Sequence, residues 1–380
     1  MGIQEIRETT ESCKHCFMCR HACPTFLTTK LDSHTPRGYA LLLSEIDHGY
    51  QSWTTAIIDR FYQCSMCGLC REDCAYHWAE DEVVRNAREE IVAGGRAPAR
   101  VKTIAASLTA HGTPYGQAAS SWSPSSCVPD RRGAEVLYFA GCAARHVHPE
   151  IPRAVEKVLN ALGADWTVLK DEGCCGAPLF ELGYTSEAVA AARQLAARVS
   201  HLRPRLVVTG CAHCFRAFKE LYPAREAGLA KDLQILHVSQ YLSLRLREGA
   251  LKTAAGAAGA AARLAPVFYH DPCQLGRKMR EYDASRDLIE GITGSAPREL
   301  FHTREKAECC GAGSAMVLTD PDLTARVSRK RLETLREIGP ATLITACQNC
   351  KTAFSSALAG DGDRVRVLDI AEMVAMSLGG

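Results

Sequence analysis

Eighteen of the nineteen cysteines in this chain fall into four ordered groups. Cys13, Cys16, Cys19 and Cys23 are spaced Cys-x2-Cys-x2-Cys-x3-Cys, with Pro24 directly after the last; Cys64, Cys67, Cys70 and Cys74 repeat that spacing. Two longer constellations follow: Cys142, Cys174, Cys175, Cys211 and Cys214, then Cys273, Cys309, Cys310, Cys347 and Cys350. Only Cys127 is left over. Thiolates in such groupings hold iron and sulfide, so the chain is expected to carry electrons.

The bulk composition is that of an ordinary globular protein, with 47% hydrophobic and 23% charged residues over 380 positions, enough for two or three domains. A formal net charge of +2 gives no electrostatic case for nucleic acid. Residues 1–12 are polar and lack an apolar signal core, and no run of 18 apolar residues occurs, so no secretory leader and no membrane span are expected. The expected location is the cytoplasm, where clusters are assembled, or a peripheral position on the inner face of a membrane.

The chain divides into residues 1–117, which hold the two close-spaced runs, a Ser/Pro-rich linker at 118–133, and two copies of one unit at 134–250 and 266–380, joined by an Ala/Gly-rich linker at 251–265. Cys127 in the first linker reads as an incidental thiol. The duplication aligns more than cysteine: Val136–Cys142 parallels Val267–Cys273, Arg205–Cys211 parallels Ala341–Cys347, and Gln234–Val238 parallels Arg366–Ile370. In the first copy the pattern predicts strands at 135–140, 166–169, 205–209 and 234–238, and helices at 150–162, 185–201 and 212–221. That alternation argues for an α/β unit with a mostly parallel sheet. Cys142, Cys211, Cys273 and Cys347 each close an apolar run, which puts them at C-terminal strand ends, where open α/β sheets place ligands. The N-terminal region reads instead as helical, with helices at 38–48, 52–62 and 80–93 and the cysteine loops between them. The expected fold is therefore α/β: a helical, ferredoxin-like dicluster domain followed by two α/β domains.

Three cysteines within seven residues wrap a loop around one cubane, and the displaced fourth ligates the other cluster. That rule assigns Cys13, Cys16, Cys19 and Cys74 to one [4Fe–4S] cluster and Cys64, Cys67, Cys70 and Cys23 to a second. Ala75 stands where the second run lacks the proline of the first. Zinc would favour ligand pairs separated by a longer loop, and a disulfide framework does not suit a reducing compartment. His15, His21 and His77 read as hydrogen-bonding or surface residues beside the clusters.

Each longer constellation reads Cys, 31 or 35 residues, Cys-Cys-Gly, 35 or 36 residues after the pair, then Cys-x2-Cys. Five thiolates exceed what a cubane or a tetrahedral zinc takes, which points to an irregular cluster. Gly176 and Gly311 allow a positive φ and a close approach of backbone to an inorganic core. His213 and Asn349, inside the two Cys-x2-Cys motifs, read equally well as donors to cluster sulfur or as polar residues at a helix start.

These motifs resemble a known family. The paired constellations are similar to the cysteine-rich CCG domain, duplicated as in the catalytic subunit of heterodisulfide reductase; the segments His270–Gly276 and Cys309–Gly313 carry this in the second copy. The N-terminal half, through Cys16-x2-Cys19-x3-Cys23-Pro24-Thr25, Pro36-Arg37-Gly38 and the Cys64 run, resembles iron–sulfur subunits of glycolate oxidase, lactate-utilisation and anaerobic glycerol-3-phosphate dehydrogenase systems. The resemblance implies two cubanes plus one or two further iron–sulfur clusters, noncubane [4Fe–4S] in the heterodisulfide reductases, held by Cys142, Cys174, Cys175, Cys211 and Cys214 and by Cys273, Cys309, Cys310, Cys347 and Cys350. Ser314-Ala315 departs from the glycine-rich continuation common after Gly313 and is expected to narrow access to the second centre.

The chain carries no nucleotide-binding glycine fingerprint, since Gly256 and Gly259 follow no strand. A separate subunit must therefore exchange electrons with it. The first functional expectation is an electron-transfer subunit of an oxidoreductase complex, served by a flavoprotein dehydrogenase. The second is a heterodisulfide-reductase-like catalytic subunit that cleaves a disulfide at a noncubane cluster, alongside a membrane haem or quinone-reactive subunit. In either case the second constellation, with His270 and Asp271 before Cys273, is expected to be the terminal redox site; the competing reading of Asp271-Pro272 is a turn starter.

Overall fold

The computed structural model describes residues 3–252, 264, 266–359 and 364–378. The Ala/Gly-rich connector, Ala254 to Ala262, lies outside them.

The N-terminal region is helical, as the patterning predicts. Thr35 caps the helix Pro36–Asp47 by accepting from the Gly38 N–H, and Pro36 starts it with its φ already set. Thr54 does the same for Thr55–Tyr62, so that helix begins three residues later than its apolar pattern suggests. The helix Glu80–Ala93 opens on Glu80, Asp81 and Glu82, whose charges favour an N-terminus, and buries Val83, Val84, Ala87 and Ile91.

Two four-stranded parallel sheets follow. The first contains β1 (Val136–Phe139), β2 (Trp166–Thr167), β3 (Leu206–Thr209) and β4 (Gln234–His237), in the order β2-β1-β3-β4. The second contains β5 (Val267–His270), β6 (Arg298–Glu299), β7 (Ala341–Thr345) and β8 (Val365–Asp369), in the order β6-β5-β7-β8. Every neighbouring pair is parallel, with Val136 opposite Leu206 and Val267 opposite Thr342. The central strands β1, β3 and β7 are buried at every position, as strands covered by helices on both faces must be.

The sequence parallel between Gln234–Val238 and Arg366–Ile370 has a local cause. His237 ends β4 and Asp369 ends β8, and each then forms a capping box, with Gln240 and Glu372, for the next helix. Capping is why β4 stops at His237 instead of running on to 238. The strand expected at 166–169 is only Trp166–Thr167; Val168 and Leu169 are buried but leave the ladder, their backbone oriented to the 118–133 segment through a bond from the Asp130 N–H to the Val168 carbonyl. The helix expected at 212–221 contains a π-turn at Ala217–Leu221.

Residues 118–133 form no helix or strand, as a linker should, yet they are docked. Trp122 is buried, and the Glu156 carboxylate accepts from the backbone and hydroxyls of Ser125 and Ser126. The two α/β units meet through pseudo-twofold contacts. Helix Glu150–Ala161 of the first packs on Ile370–Ser377 of the second, and Val238–Arg247 of the first packs on Ala284–Thr293 of the second. Among the described residues, no helix is long and apolar enough to cross a membrane.

Candidate iron–sulfur centres

In the first run the loop turns through His15 at φ 51° and enters the short helix Met18–Ala22, which carries Cys19. Cys23 then precedes Pro24, and steric exclusion before proline holds it extended at φ −67°, ψ 114°. This swings its side chain away from its own run and into the neighbourhood of Cys64, Cys67 and Cys70. The second run repeats the geometry: the helix Leu69–Asp73 carries Cys70, and Cys74 ends it extended at φ −81°, ψ 124°. Cys74 lies beside Cys13, and a small cleft is lined by Cys13, Cys16, Cys19, Cys70 and Cys74. Ala75 in place of proline leaves this conformation intact. His15, His21 and His77 are exposed.

The longer constellations gather where the strands end. Cys142, Cys211, Cys273 and Cys347 follow β1, β3, β5 and β7. In the first unit Cys174 contacts Cys142 and Cys175, and Cys214 contacts Cys175 and Cys211. In the second, Cys310 Sγ is 3.2 Å from Cys350 Sγ, and Cys309 contacts Cys273 and Cys310. Gly176 and Gly311 stand at φ 81° and 85°, and a Cβ on Gly311 would lie 2.9 Å from Val327, so glycine is required there. The hydroxyl of Ser328 donates to the Cys310 carbonyl at 2.6 Å and that of Thr324 to the Gly311 carbonyl, fixing the loop from behind.

The donor sets fit multi-iron groups. All nineteen cysteines are free thiols. Among the described residues, only His270, Cys310 and Cys350 bring three ligand atoms within 4.8 Å of one another. A tetrahedral zinc with Zn–S near 2.3 Å would draw its thiolates to about 3.8 Å apart. Neither four-cysteine set closes onto a point in that way, although its members are neighbours. Burial raises the thiol pKa of Cys13, Cys19, Cys23 and Cys70 and pushes Cys64 up to about 12. Thiolates in such surroundings need a strongly positive core beside them, which ferric and ferrous ions supply.

Two of these sets touch. Ser65 Oγ is 3.6 Å from Cys309 Sγ, and Cys67 is a direct neighbour of Cys309. Arg277 sits at this junction, buried, donating through Nε to the Cys67 carbonyl at 2.8 Å and through Nη1 to the carbonyls of Glu305 and Ala307. Arg88 lies behind the same loop and donates to the carbonyls of Phe61, Cys64 and Glu181 and to Ser314 Oγ. Neither guanidinium is ion-paired with a carboxylate among the described residues. A buried cation of this kind requires negative charge nearby, and the thiolate groups are what lies closest. Ser314, expected to limit access to the second centre, is buried and accepts from Arg88.

The first and second units are joined just as closely. His213 lies against Cys347 and faces Asn349 at 3.4 Å, and Gln348 reaches across to the Ala140 carbonyl at 2.7 Å and the Ala144 N–H at 3.1 Å. His270 is buried beside Cys310 and edge-on to Phe354 at 4.8 Å. Asp271, by contrast, is neutralised in a bidentate pair with Arg286, 2.8 Å at each oxygen, and accepts from the Arg304 N–H. Its carboxylate ties the end of β5 to the helix Ala284–Thr293 and to the loop at Thr303 and Arg304. Cys127 lies apart from all four groups, beside Glu156 and Arg131.

Sequence reasoning passed over Arg88, Arg277, Gln348 and the half-buried Glu172, whose carboxylate accepts from the N–H groups of Ala140 and Gly141. Arg277 and Gln348 had a signal, since each follows a cysteine of the longer constellations within a few residues. Arg88 had none; with Arg85 and Glu89 it reads as a solvated helix face.

Comparison with known proteins follows this division. Residues 136–219 and 267–355 match the cysteine-rich CCG domain family, and residues 9–78 match the 4Fe-4S dicluster domain family. A component of the dihydromethanophenazine:CoB–CoM heterodisulfide reductase of Methanosarcina barkeri is 28% identical over 84% of this chain and 78% of its own length. A component of the fumarate reductase (CoM/CoB) of Methanothermobacter marburgensis is 22% identical over 99% of this chain and 75% of its own. EtfAB:quinone oxidoreductase of Syntrophomonas wolfei is 22% identical over 96% of this chain and 57% of its own.

Proposed function

Because the chain is an iron–sulfur protein that joins a 4Fe–4S dicluster domain to two cysteine-rich CCG domains, similar to a component of heterodisulfide reductase, we propose that it is the electron-transfer subunit of an oxidoreductase complex and relays electrons between a flavoprotein dehydrogenase and its CCG centres. In this reading Cys13, Cys16, Cys19 and Cys74 hold one cubane, and Cys64, Cys67, Cys70 and Cys23 hold the other. Cys142, Cys174, Cys175, Cys211 and Cys214 hold a third cluster, and Cys273, Cys309, Cys310, Cys347 and Cys350 a fourth, both noncubane. Bound there, the clusters supply one-electron storage and, at an open iron, a place for a substrate sulfur. The residues hold them in sequence, and Arg277 and Arg88 balance charge at the junction.

The observation that carries this reading is the contact of Ser65 and Cys67 with Cys309. It makes the thiol groups continuous from the dicluster region into the second CCG unit. A second reading, disulfide cleavage at that unit, is favoured by its five complete cysteines and by buried His270 against Cys310. On either reading we assign the reacting centre to the second unit, and we place the protein in the cytoplasm or on the inner face of a membrane, in a reducing compartment that suits cysteine-bound clusters.

Cys175→Ala and Cys310→Ala in the intact complex, assayed with the native donor and with an artificial one, test this. Cys310→Ala is expected to reduce turnover with both donors by at least roughly tenfold more than Cys175→Ala does. Turnover that survives Cys310→Ala and is lost in Cys175→Ala places the reacting centre in the first unit and overturns the assignment.

A further inference from the structure

Electrons reach a buried centre at useful rates only across a short gap, so the surface over the most accessible centre constrains what docks there. Cys16 is the one exposed cysteine of the nineteen. Around it lie three of the exposed large apolar side chains: Phe17 at 56% exposure, Met18 at 52% and Tyr76 at 63%. Both rings among them lie beside a cation. The Arg37 guanidinium lies 4.5 Å from the Phe17 ring centroid, and the Lys14 ammonium 6.0 Å from that of Tyr76. Arg20 also lies against Phe17 but is neutralised by Asp32 at 3.1 Å. The cleft that Cys13, Cys16, Cys19 and Cys74 line has Lys14 and Arg37 as its only charged lining, and neither is ion-paired with a carboxylate of the described residues.

Exposed aromatic rings beside unpaired cations are poor for solubility and good for docking. Immobilised Tyr, Phe and Arg side chains lose little rotamer freedom on binding, and positive charge at the rim accelerates encounter with an acidic surface. We propose that the surface formed by Lys14, Phe17, Met18, Arg37 and Tyr76 around Cys16 is the docking face for an electron-transfer protein with a carboxylate-rich surface. This rests on the electron-transfer reading above and names the chemistry of the partner. In the exchange one electron leaves the reduced carrier and one arrives at the centre behind Cys16; no bond forms or breaks.

Reduced and oxidised flavodoxin, a small acidic flavoprotein, serves as the probe with the iron-loaded full chain. Binding of oxidised flavodoxin is measured by calorimetry between about 20 mM and about 300 mM salt, and reduction by flavodoxin and by dithionite is followed optically. The wild-type Kd is expected to rise at least about tenfold over that salt range, and Lys14→Glu, Arg37→Glu and Phe17→Ala are each expected to raise it by a comparable factor at low salt. Lys231→Glu, an exposed charge reversal remote from the cleft, is expected to leave it unchanged. Iron content is measured for every variant; if Arg37→Glu loses iron, Lys14→Glu and Phe17→Ala still decide. Variant Kd values within about twofold of wild type, or an equal effect of Lys231→Glu, overturn the docking face. Failure of both dithionite and flavodoxin to reduce the protein counts against electron transfer itself and leaves the affinity result to judge the surface.

Discussion

Cys23 shows how much one residue's backbone decides. It belongs by sequence to the first run, but the proline after it holds it extended and its thiol sits among Cys64, Cys67 and Cys70. Cys23→Ser is therefore expected to damage the cluster assigned to the second run while sparing that of Cys13, Cys16 and Cys19. Electron paramagnetic resonance with iron quantitation separates the two, and loss confined to the first run's cluster contradicts crossed ligation. Arg277 acts by charge. It is buried, is ion-paired with no carboxylate among the described residues, and binds the Cys67 carbonyl beside Cys309. Removing positive charge there makes an added electron less favourable, so Arg277→Met is expected to lower the reduction potential of the adjoining cluster by tens of millivolts, where about 59 mV is a tenfold change in a one-electron equilibrium. Arg277→Lys is expected to recover part of the shift. Redox titration monitored by the same resonance reads both, and an unchanged potential in Arg277→Met leaves Arg277 a merely structural residue.

At the scale of elements, ligand placement follows from strands that stop. β1, β3, β5 and β7 each end two or three residues before a cysteine, and the chain then turns into a loop or a helix start. Loops from separate elements must then approach closely, and glycine makes that possible. A Cβ on Gly313 would lie 2.3 Å from the Ser65 carbonyl oxygen, backbone against backbone, in the contact between the second CCG loop and the dicluster loop. Gly313→Ala is expected to push these loops apart, destabilising the fold by about 1–3 kcal/mol and weakening magnetic coupling between the adjoining clusters. Gly210→Ala is the control, since its Cβ would meet nothing closer than 3.6 Å. Equal melting temperatures for the two variants would refute the tight-approach argument.

The whole molecule is a dicluster domain set against a pseudo-twofold pair of α/β units. Lys278 ties the second unit to the dicluster helix through Asp81 at 2.7 Å and Glu80 at 3.4 Å, and Gln63 reaches Asp320 at 2.9 Å. Four clusters of four irons give an expected content of about 16 iron per chain, against about 8 if the CCG units are empty. Iron and acid-labile sulfide assay of anaerobically purified protein decides, and a value near the lower figure with stoichiometric zinc removes the noncubane assignment. Much of this was legible beforehand. Cysteine spacing, the 131- to 136-residue repeat offsets and the alternation of apolar runs are local or periodic, so the sequence alone determined the two domain types, the duplication, the positions of the cysteines at strand ends and the crossed grouping of Cys23 and Cys74. What it could not contain was which surfaces meet. Arg88 on a helix that reads as solvated, Ser314 as its acceptor, His213 against Cys347 and Ser65 against Cys309 are contacts between residues 134 to 244 positions apart. No periodicity encodes such pairs, because they arise only when separately formed units dock, and only the tertiary structure decided that the dicluster loop lies against the second CCG centre rather than the first.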